Sequence, residues 1–554
     1  MRKLLVILLS LALLAGTATA AMAGESAKLV AEERAVPFLG DRNDNRLSDD
    51  LDDLLEGARP GEKLPVIISL NAAPTEAVFA ALSQAAKGLV AKVTWTHALD
   101  GFAADLTAGQ INALSRHPFV QRIDYDREVN AFLGTSTFWT GVQQARLDFG
   151  VCGSRDASPT TYSKTDVVIC VLDTGIHIGH VDLDGGKVIG WKDVINNRTT
   201  PYDDNGHGTH CASIAAGTGE GNSTYKGVAP GAALVGVKVL NSAGSGTTTG
   251  IISGIDWMIA NKATFGIRIG SMSLGSSGSS DGTDSLSVAV NKAVDNGIIM
   301  CVAAGNSGPA RYTIGSPAAA AKAITVGALY DPGEKGWAMA EFSSRGPTAD
   351  GRIKPDICTP GRNITAARHN TTTGYITMSG TSMACPFMAG TIALMLDANY
   401  SLTDTGVKNI IYASGNNKDG GPTGMDIDFG YGIALCYNDV KQAGGYLTSW
   451  SDGLNWAYNS SSLSGPGAYH DYYISVTTTT RPLAVTMIMP NWTGSSSPDF
   501  DLYLYNPSGS LVASGTGTKR QEHILYQPTV TGTFRLRVSA YAGSGAYWFN
   551  TSWK

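Results

Sequence analysis

Val167-Val168-Ile169-Cys170-Val171-Leu172-Asp173-Thr174-Gly175 decides the fold. The apolar run has no polar alternation and stops at a carboxylate. Strands with both faces buried have that composition, and they belong to parallel sheets covered by helices. Residues 233–239, 298–303 and 323–326 form similar runs, separated by longer stretches of helical periodicity. From 136 to 445 the chain therefore reads as an α/β domain built on a doubly wound, mostly parallel sheet. Ligands of such sheets gather beyond the carboxyl ends of the strands, where Asp173 emerges.

Asp-Thr-Gly alone is a weak sign, because aspartic proteases also use it. A second copy, Asp404-Thr405-Gly406, follows Thr403 and precedes an apolar helical stretch. That is the pattern of a helix N-terminus, which argues against the aspartic class. His207 lies in Asp204-Asn205-Gly206-His207-Gly208-Thr209-His210, where flanking glycines let the backbone come close while the imidazole stays accessible. His207 with His210 suggests zinc as an alternative, but no third ligand stands at a telling distance and no His-Glu-x-x-His occurs. Ser382 belongs to Gly380-Thr381-Ser382-Met383-Ala384-Cys385-Pro386, ahead of an apolar helix over 387–396. A helix N-terminus favours negative charge developing beside the serine, and Pro386 is tolerated only near a helix start. An α/β-hydrolase would need Gly-x-Ser-x-Gly and a later histidine, whereas only His470 and His523 follow, in the β-rich tail.

In their order Asp, His, Ser, these motifs resemble the subtilisin family over about 300 residues. Tyr225-Lys226-Gly227-Val228-Ala229-Pro230-Gly231, Ala303-Ala304-Gly305-Asn306-Ser307-Gly308 and Phe342-Ser343-Ser344-Arg345-Gly346-Pro347 match as well. The resemblance implies a serine endopeptidase with Asp173, His207 and Ser382 as catalytic residues and Asn306 as the oxyanion-hole amide. Read alone, Asn306 is an ordinary turn residue. The resemblance also implies that Ser273, Leu274 and Gly275 pair with substrate backbone, that Ala303, Ala304 and Gly305 form the opposite wall of the primary pocket, and that Gly315 sits at its floor. Room at that floor implies a broad preference for apolar or aromatic side chains. Asp182 matches a structural Ca²⁺ ligand of many subtilisins, although the segment after His207 lacks the usual partner loop.

Around this domain lie other pieces. Residues 1–23 read as a cleaved secretory signal with a basic start, an apolar stretch and small residues at its end. The expected location is therefore extracellular, with no membrane span in the mature form. Residues 24–135 follow, and within them 64–127 has the order β-α-β-β-α-β of a ferredoxin-like sandwich. The resemblance makes this a propeptide acting as intramolecular inhibitor, with self-cleavage between 127 and 137; a permanent substrate-binding domain is the alternative. Asp41, Asn43 and Asn45 place oxygens at alternate positions, which suits a Ca²⁺ loop and a solvated acidic linker equally. A linker is expected at 446–467 and an all-β sandwich at 468–554, resembling a pre-peptidase C-terminal-like domain. Its Asp499 and Asp501 suit a shared Ca²⁺ or a solvated strand edge. A rival reading makes the α/β domain a scaffold whose tail binds carbohydrate or a cell surface.

The net charge of −6, from 41 Lys and Arg against 47 Asp and Glu, lacks the basic excess of a nucleic-acid binder. Protein and peptide substrates are the expected partners, with the chain acting as a monomer. The 7 cysteines are odd in number and lie mostly in apolar runs, so buried free thiols are expected rather than a disulfide framework.

Overall fold

The computed structural model describes residues 41, 45–48, 51–52, 54–55, 59, 61–96, 99–126, 128–131, 139–156, 158–330, 337–413, 417–449, 455–479, 481–490 and 498–554. The signal segment, Asn43 and most of the stretch expected to hold the maturation cut lie outside them.

The first unit runs β1 (Lys63–Leu70), α1 (Glu76–Ala85), β2 (Val93–Trp95), β3 (Gly101–Thr107), α2 (Ala108–Ser115) and β4 (Val120–Tyr125). Its antiparallel sheet has the order β2-β3-β1-β4. A capping box between Thr107 and Gln110 starts α2. Val66 and Ile68 of β1 pack on Leu82, Ile111 and Leu114 of the unit's own helices. Ile67, between them, joins Trp95 and Ala103 in the core of the next domain. Period-2 alternation thus buries both faces of β1. A further strand, β5 (Glu128–Ala131), continues toward that domain.

The central domain runs α3 (Val142–Phe149), β6 (Val168–Asp173), β7 (Val188–Asp193), α4 (His207–Ala216), β8 (Ala233–Lys238), β9 (Ser245–Thr247), α5 (Thr248–Ala260), β10 (Ile267–Met272), β11 (Leu274–Gly275), α6 (Ser285–Asp295) and β12 (Ile299–Ala303). It continues with β13 (Ile324–Tyr330), β14 (Ala338–Met339), β15 (Ile357–Pro360), β16 (Ile364–Ala367), β17 (Tyr375–Met378), α7 (Thr381–Ala398), α8 (Asp404–Ile411) and α9 (Cys436–Gly444). Its sheet has the order β14-β13-β12-β10-β6-β8-β7, with β15 also on β13. The pairs are parallel except β13 with β14, so the sheet is mixed.

β6 is buried along its whole length. Ile169 and Val171 enter a core with α4 and α7, while Val168, Cys170 and Leu172 enter one with α5 and α6. Each fully buried Val, Leu or Ile is worth about 1.5–3 kcal/mol, which explains why this strand lacks polar alternation. The second Asp-Thr-Gly begins α8, capped by Thr403.

α7 starts at Thr381, so Pro386 sits inside the helix rather than at its first turn. Its missing N–H leaves the Ser382 carbonyl without an i+4 partner. By length and composition α7 could cross a membrane, with a mean hydropathy of 1.3, but 89% of it is buried inside the protein.

The last unit holds β18 (Asn455–Leu463), β19 (Tyr469–Val476), β20 (Leu483–Ile488), β21 (Asp499–Tyr505), β22 (Leu511–Gly515), β23 (Gln521–Tyr526), β24 (Gly532–Ala542) and β25 (Gly545–Trp553). They form two antiparallel sheets, β18-β25-β20-β23 and β19-β24-β21-β22, around Phe500, Leu502, Phe534 and Tyr547. The expected linker at 446–467 is corrected here, since β18 occupies much of it. Ser and Asn hide the strand because it is an edge strand with little burial of its own.

Candidate active site

Asp173 ends β6 and His207 begins α4, both almost fully buried. His207 Nδ1 lies 2.6 Å from Asp173 Oδ1, which also accepts from Thr174 N at 2.7 Å. The strand end and helix start are tied together by Asp203, which reading the sequence overlooked by beginning the motif at Asp204. Asp203 Oδ1 accepts from Thr174 Oγ1, Asn205 N and Gly206 N, and its Oδ2 from Thr209 N and Thr209 Oγ1, all at 2.6–3.0 Å. Thr174 Oγ1 in turn accepts from Gly208 N at 2.8 Å. Burial pushes the Asp203 carboxyl up, but the hydrogen bonds outweigh it and hold the group below the usual carboxylate range. Gly208 is required here, because a Cβ would lie 2.1 Å from Gly175 O.

Ser382 is the second residue of α7 and is fully buried. Its Oγ donates to Ser273 O at 3.1 Å. The carbonyl that Pro386 leaves open accepts from Ser273 Oγ at 2.6 Å and from Cys211 Sγ at 3.4 Å. The Cys211 sulfur also lies 3.8 and 3.9 Å from the two His207 ring nitrogens, so one thiol touches both the imidazole and the serine backbone.

Among the described residues, Asp173, His207 and Cys211 are the one group of potential metal ligands whose donor atoms lie within 4.8 Å. Burial pushes the Cys211 thiol well above its ordinary range, which disfavours the thiolate a metal needs, and the imidazole is already bonded to Asp173. His210 faces elsewhere, its Nε2 on Ile376 O at 3.0 Å. Burial lowers its pKa to about 3.

Asn306 follows β12. Its Oδ1 accepts from both Thr381 N and Thr381 Oγ1 at 3.0 Å. With the oxygen so pinned beside Ser382, the amide NH₂ is the group left to donate. Gly305, at φ +102°, donates its N–H to Thr381 Oγ1 at 3.1 Å. Ser273, Leu274, Ala303 and Ala304 are buried backbone neighbours of this corner. Leu274 and Gly275 pair with Ala131 and Asn130, and β9 pairs with the other edge of the same strand, giving a sheet β11-β5-β9. A Cβ on Gly315 would meet Ser276 O at 2.2 Å and Gly278 O at 3.2 Å, so glycine there permits close approach of the Ser276–Gly278 backbone.

The calcium candidates differ. Asp182 is buried with Oδ1 accepting from Gly221 N and both oxygens from Tyr375 Oη, so donors already satisfy it. Asp41 accepts from Asn45 N and Arg46 N, while Asn45 donates to Asp52 and accepts from Leu47 N, which makes a turn of the first loop. Asp499 and Asp501 are buried, and Asp499 Oδ1 is without a hydrogen-bond partner. Burial pushes both carboxyls up, and the neighbouring Asp501 adds to the shift of Asp499. This pair has the chemistry of a cation site. The cysteines are unbridged, and all but Cys152 are buried.

Residues 164–432 match the subtilase family, and residues 468–540 match the bacterial pre-peptidase C-terminal domain. Serine protease AprX of Bacillus subtilis (strain 168) is 41% identical over 332 residues, covering 56% of this chain and 72% of that protein. Alkaline serine exoprotease A of Vibrio alginolyticus is 36% identical over 322 residues, covering 57% and 55%. Subtilisin E of Bacillus subtilis (strain 168) is 32% identical over 310 residues, covering 55% and 73%. The chain belongs to the subtilase family and is a subtilisin-like serine protease, a hydrolase.

Proposed function

We propose that the chain is a secreted endopeptidase made as a self-processing zymogen. Ser382 attacks the peptide carbonyl, His207 accepts its proton and returns it to the leaving amine, and Asp173 fixes the imidazole tautomer and stabilises the imidazolium. The reading rests on the buried 2.6 Å contact between His207 Nδ1 and Asp173 Oδ1, beside a serine that opens an apolar helix. With Nδ1 facing the carboxylate, Nε2 is the nitrogen that serves as base. Asn306 Nδ2 and the Ser382 N–H then hold the tetrahedral oxygen, assisted by the helix N-terminus.

Specificity is broad at the residue before the scissile bond and favours apolar or aromatic side chains. The walls assigned to the pocket are Ala303, Ala304, Gly305 and the Ser273-Leu274-Gly275 backbone, with Gly315 below. Residues 24–135 form the propeptide, with a ferredoxin-like inhibitor in 64–127. Support comes from β5, which runs as the middle strand between β9 and β11 as an extended substrate would. Asp124 accepts from Ser285 N at the start of α6, and Asp126 from Thr249 N at the start of α5, both at 2.9 Å.

Asp499 and Asp501 hold a structural Ca²⁺ that offsets their mutual repulsion. The enzyme works outside the cell as a monomer on protein substrates. Incubating the purified, matured protein with casein, with and without a serine-directed phosphonyl fluoride, tests the function. Inhibitor-sensitive hydrolysis is expected; its absence removes the endopeptidase reading.

A further inference from the structure

The β-sandwich is fastened to the catalytic domain through charge. Arg520, just before β23, donates from Nη2 to Asp428 Oδ2 at 2.6 Å, and Arg345 donates from Nη1 to Asp428 Oδ1 at 2.8 Å. Arg345 and Arg520 are 1% exposed and Asp428 is 0%. Burial pushes Asp428 up, but the two guanidinium groups outweigh it and hold the carboxyl below its usual range. Three buried charges persist only when their geometry and hydrogen bonds offset the loss of water. The apolar surroundings are also shared: Trp337, Met339 and Phe429 of the catalytic domain cluster with Ile488 and Trp548 of the sandwich. Gln521 exchanges two hydrogen bonds with the Met339 backbone at 2.9 Å.

Arg345 is more than an anchor. Its N–H donates to Thr313 Oγ1 at 2.8 Å and its carbonyl accepts from Thr313 N at 3.0 Å, two residues before Gly315. The adjoining Ser344 donates its N–H to Gly305 O at 2.8 Å, and its Oγ accepts from Ser307 N at 3.2 Å. The segment that Asp428 grips therefore braces Gly305 and Ser307, the residues on either side of Asn306. Hydrogen bonds, joined by the peptide link between Arg345 and Ser344, thus lead from the sandwich to the loop that carries Asn306.

We infer that Arg520 is a positioning residue for peptide hydrolysis, acting through Asp428 and Arg345 on the loop that carries Asn306, so that the sandwich is part of the working enzyme. This rests on the catalytic reading above. A donor misplaced by about 1 Å costs up to about 10²-fold in rate, and loosening a brace two residues removed costs less. Lys519, one residue away, pairs with Glu341 at 2.9 Å, with the two side chains 60% and 46% exposed. It offers a control at the same interface, since exposed pairs are worth little.

The test is steady-state hydrolysis of a peptide anilide with an aromatic residue before the scissile bond, at 25 °C. Rates are expressed per site titrated with the phosphonyl fluoride, in the matured full-length enzyme. Arg520→Met is expected to lower kcat about tenfold with KM changed less than threefold, Arg520→Lys to recover part of the loss, and Lys519→Ala to match the parent. In an Asn306→Ala background the Arg520→Met effect should shrink below about twofold, which a general loss of stability would not produce. If Arg520→Met does not mature, Arg520→Gln, which keeps an amide donor for Asp428, takes the same test. Unchanged kcat in an active parent, or an undiminished effect in the Asn306→Ala background, overturns the positioning role alone. An inactive parent overturns this role together with the catalytic reading.

Discussion

The two units flanking the catalytic domain are docked by different chemistry. The N-terminal unit lends Ile67, Trp95 and Ala103 to the core of that domain and adds hydrogen bonds: Asp124 and Asp126 accept from Ser285 and Thr249 at the starts of α6 and α5, Ser69 Oγ lies 3.2 Å from Ser285 Oγ, and Trp95 Nε1 donates to Ser253 Oγ at 2.9 Å within α5. The C-terminal unit instead shares a tryptophan-rich cluster and a buried Arg–Asp–Arg triad. Polar groups at those helix termini are readily hydrated again after separation, and the buried Arg122–Asp124 pair lies within the N-terminal unit and leaves with it, so the first interface suits a part that leaves. Stripping the second would take Arg520 from Asp428, leave that buried carboxylate with Arg345 alone and expose Trp337, so it suits a part that stays.

The largest expected effect comes from Ser382→Ala. It should abolish proteolysis, by about 10⁴-fold or more, and leave the N-terminal unit covalently attached, as an intact band on denaturing gels shows. Normal maturation of that variant would assign the cut to another protease and weaken the contrast. Asn306→Ala should lower kcat about 10²- to 10³-fold, a range taken from a subtilisin rather than derived for this chain, with KM little changed.

Within the unprocessed Ser382→Ala chain, Asp124→Asn should weaken the N-terminal docking by about 1–2 kcal/mol. Amide exchange of Glu128–Ala131 would then quicken about tenfold while Gln521–Tyr526 stays protected. Equal loosening of both regions would erase the distinction between the interfaces. Smaller still is the cation effect. Removing Ca²⁺ with a chelator should lower the melting temperature of the parent by a few degrees, and Asp499→Asn should remove that sensitivity.

His210 gives a pH signature independent of the docked units. Its folded pKa, lowered to about 3 by burial, lies below the unfolded value of about 6.5. The unfolded chain therefore binds the extra proton between those values. The His210 contribution is fully present above about pH 6.5 and is lost progressively as pH falls toward 3. Denaturant titrations of His210→Gln across this window should show up to one proton fewer taken up on unfolding.

The catalytic sheet was legible because β6, β8 and β12 are buried on both faces and carry unbroken apolar runs. The motifs of Asp173, His207 and Ser382 stood out in the sequence because each joins a reactive side chain to a helix or strand end. Asp203 escaped because a carboxylate serving backbone amides looks like any loop aspartate until its donors converge. The start of α7 was misjudged because proline marks helix starts by frequency, whereas here its missing N–H frees the Ser382 carbonyl for Ser273. β18 escaped because an edge strand of Ser, Asn and Tyr carries turn composition. Arg520 was invisible for a simpler reason: its partner lies 92 residues earlier in another domain.

Mass spectrometry of the matured protein after reaction with the phosphonyl fluoride tests the central claim most directly. A single adduct on the Ser382 peptide, stoichiometric with lost casein hydrolysis and suppressed in His207→Ala, is the predicted result. Full hydrolysis with Ser382 unmodified, or an adduct on another serine that tracks the loss of activity, would contradict it.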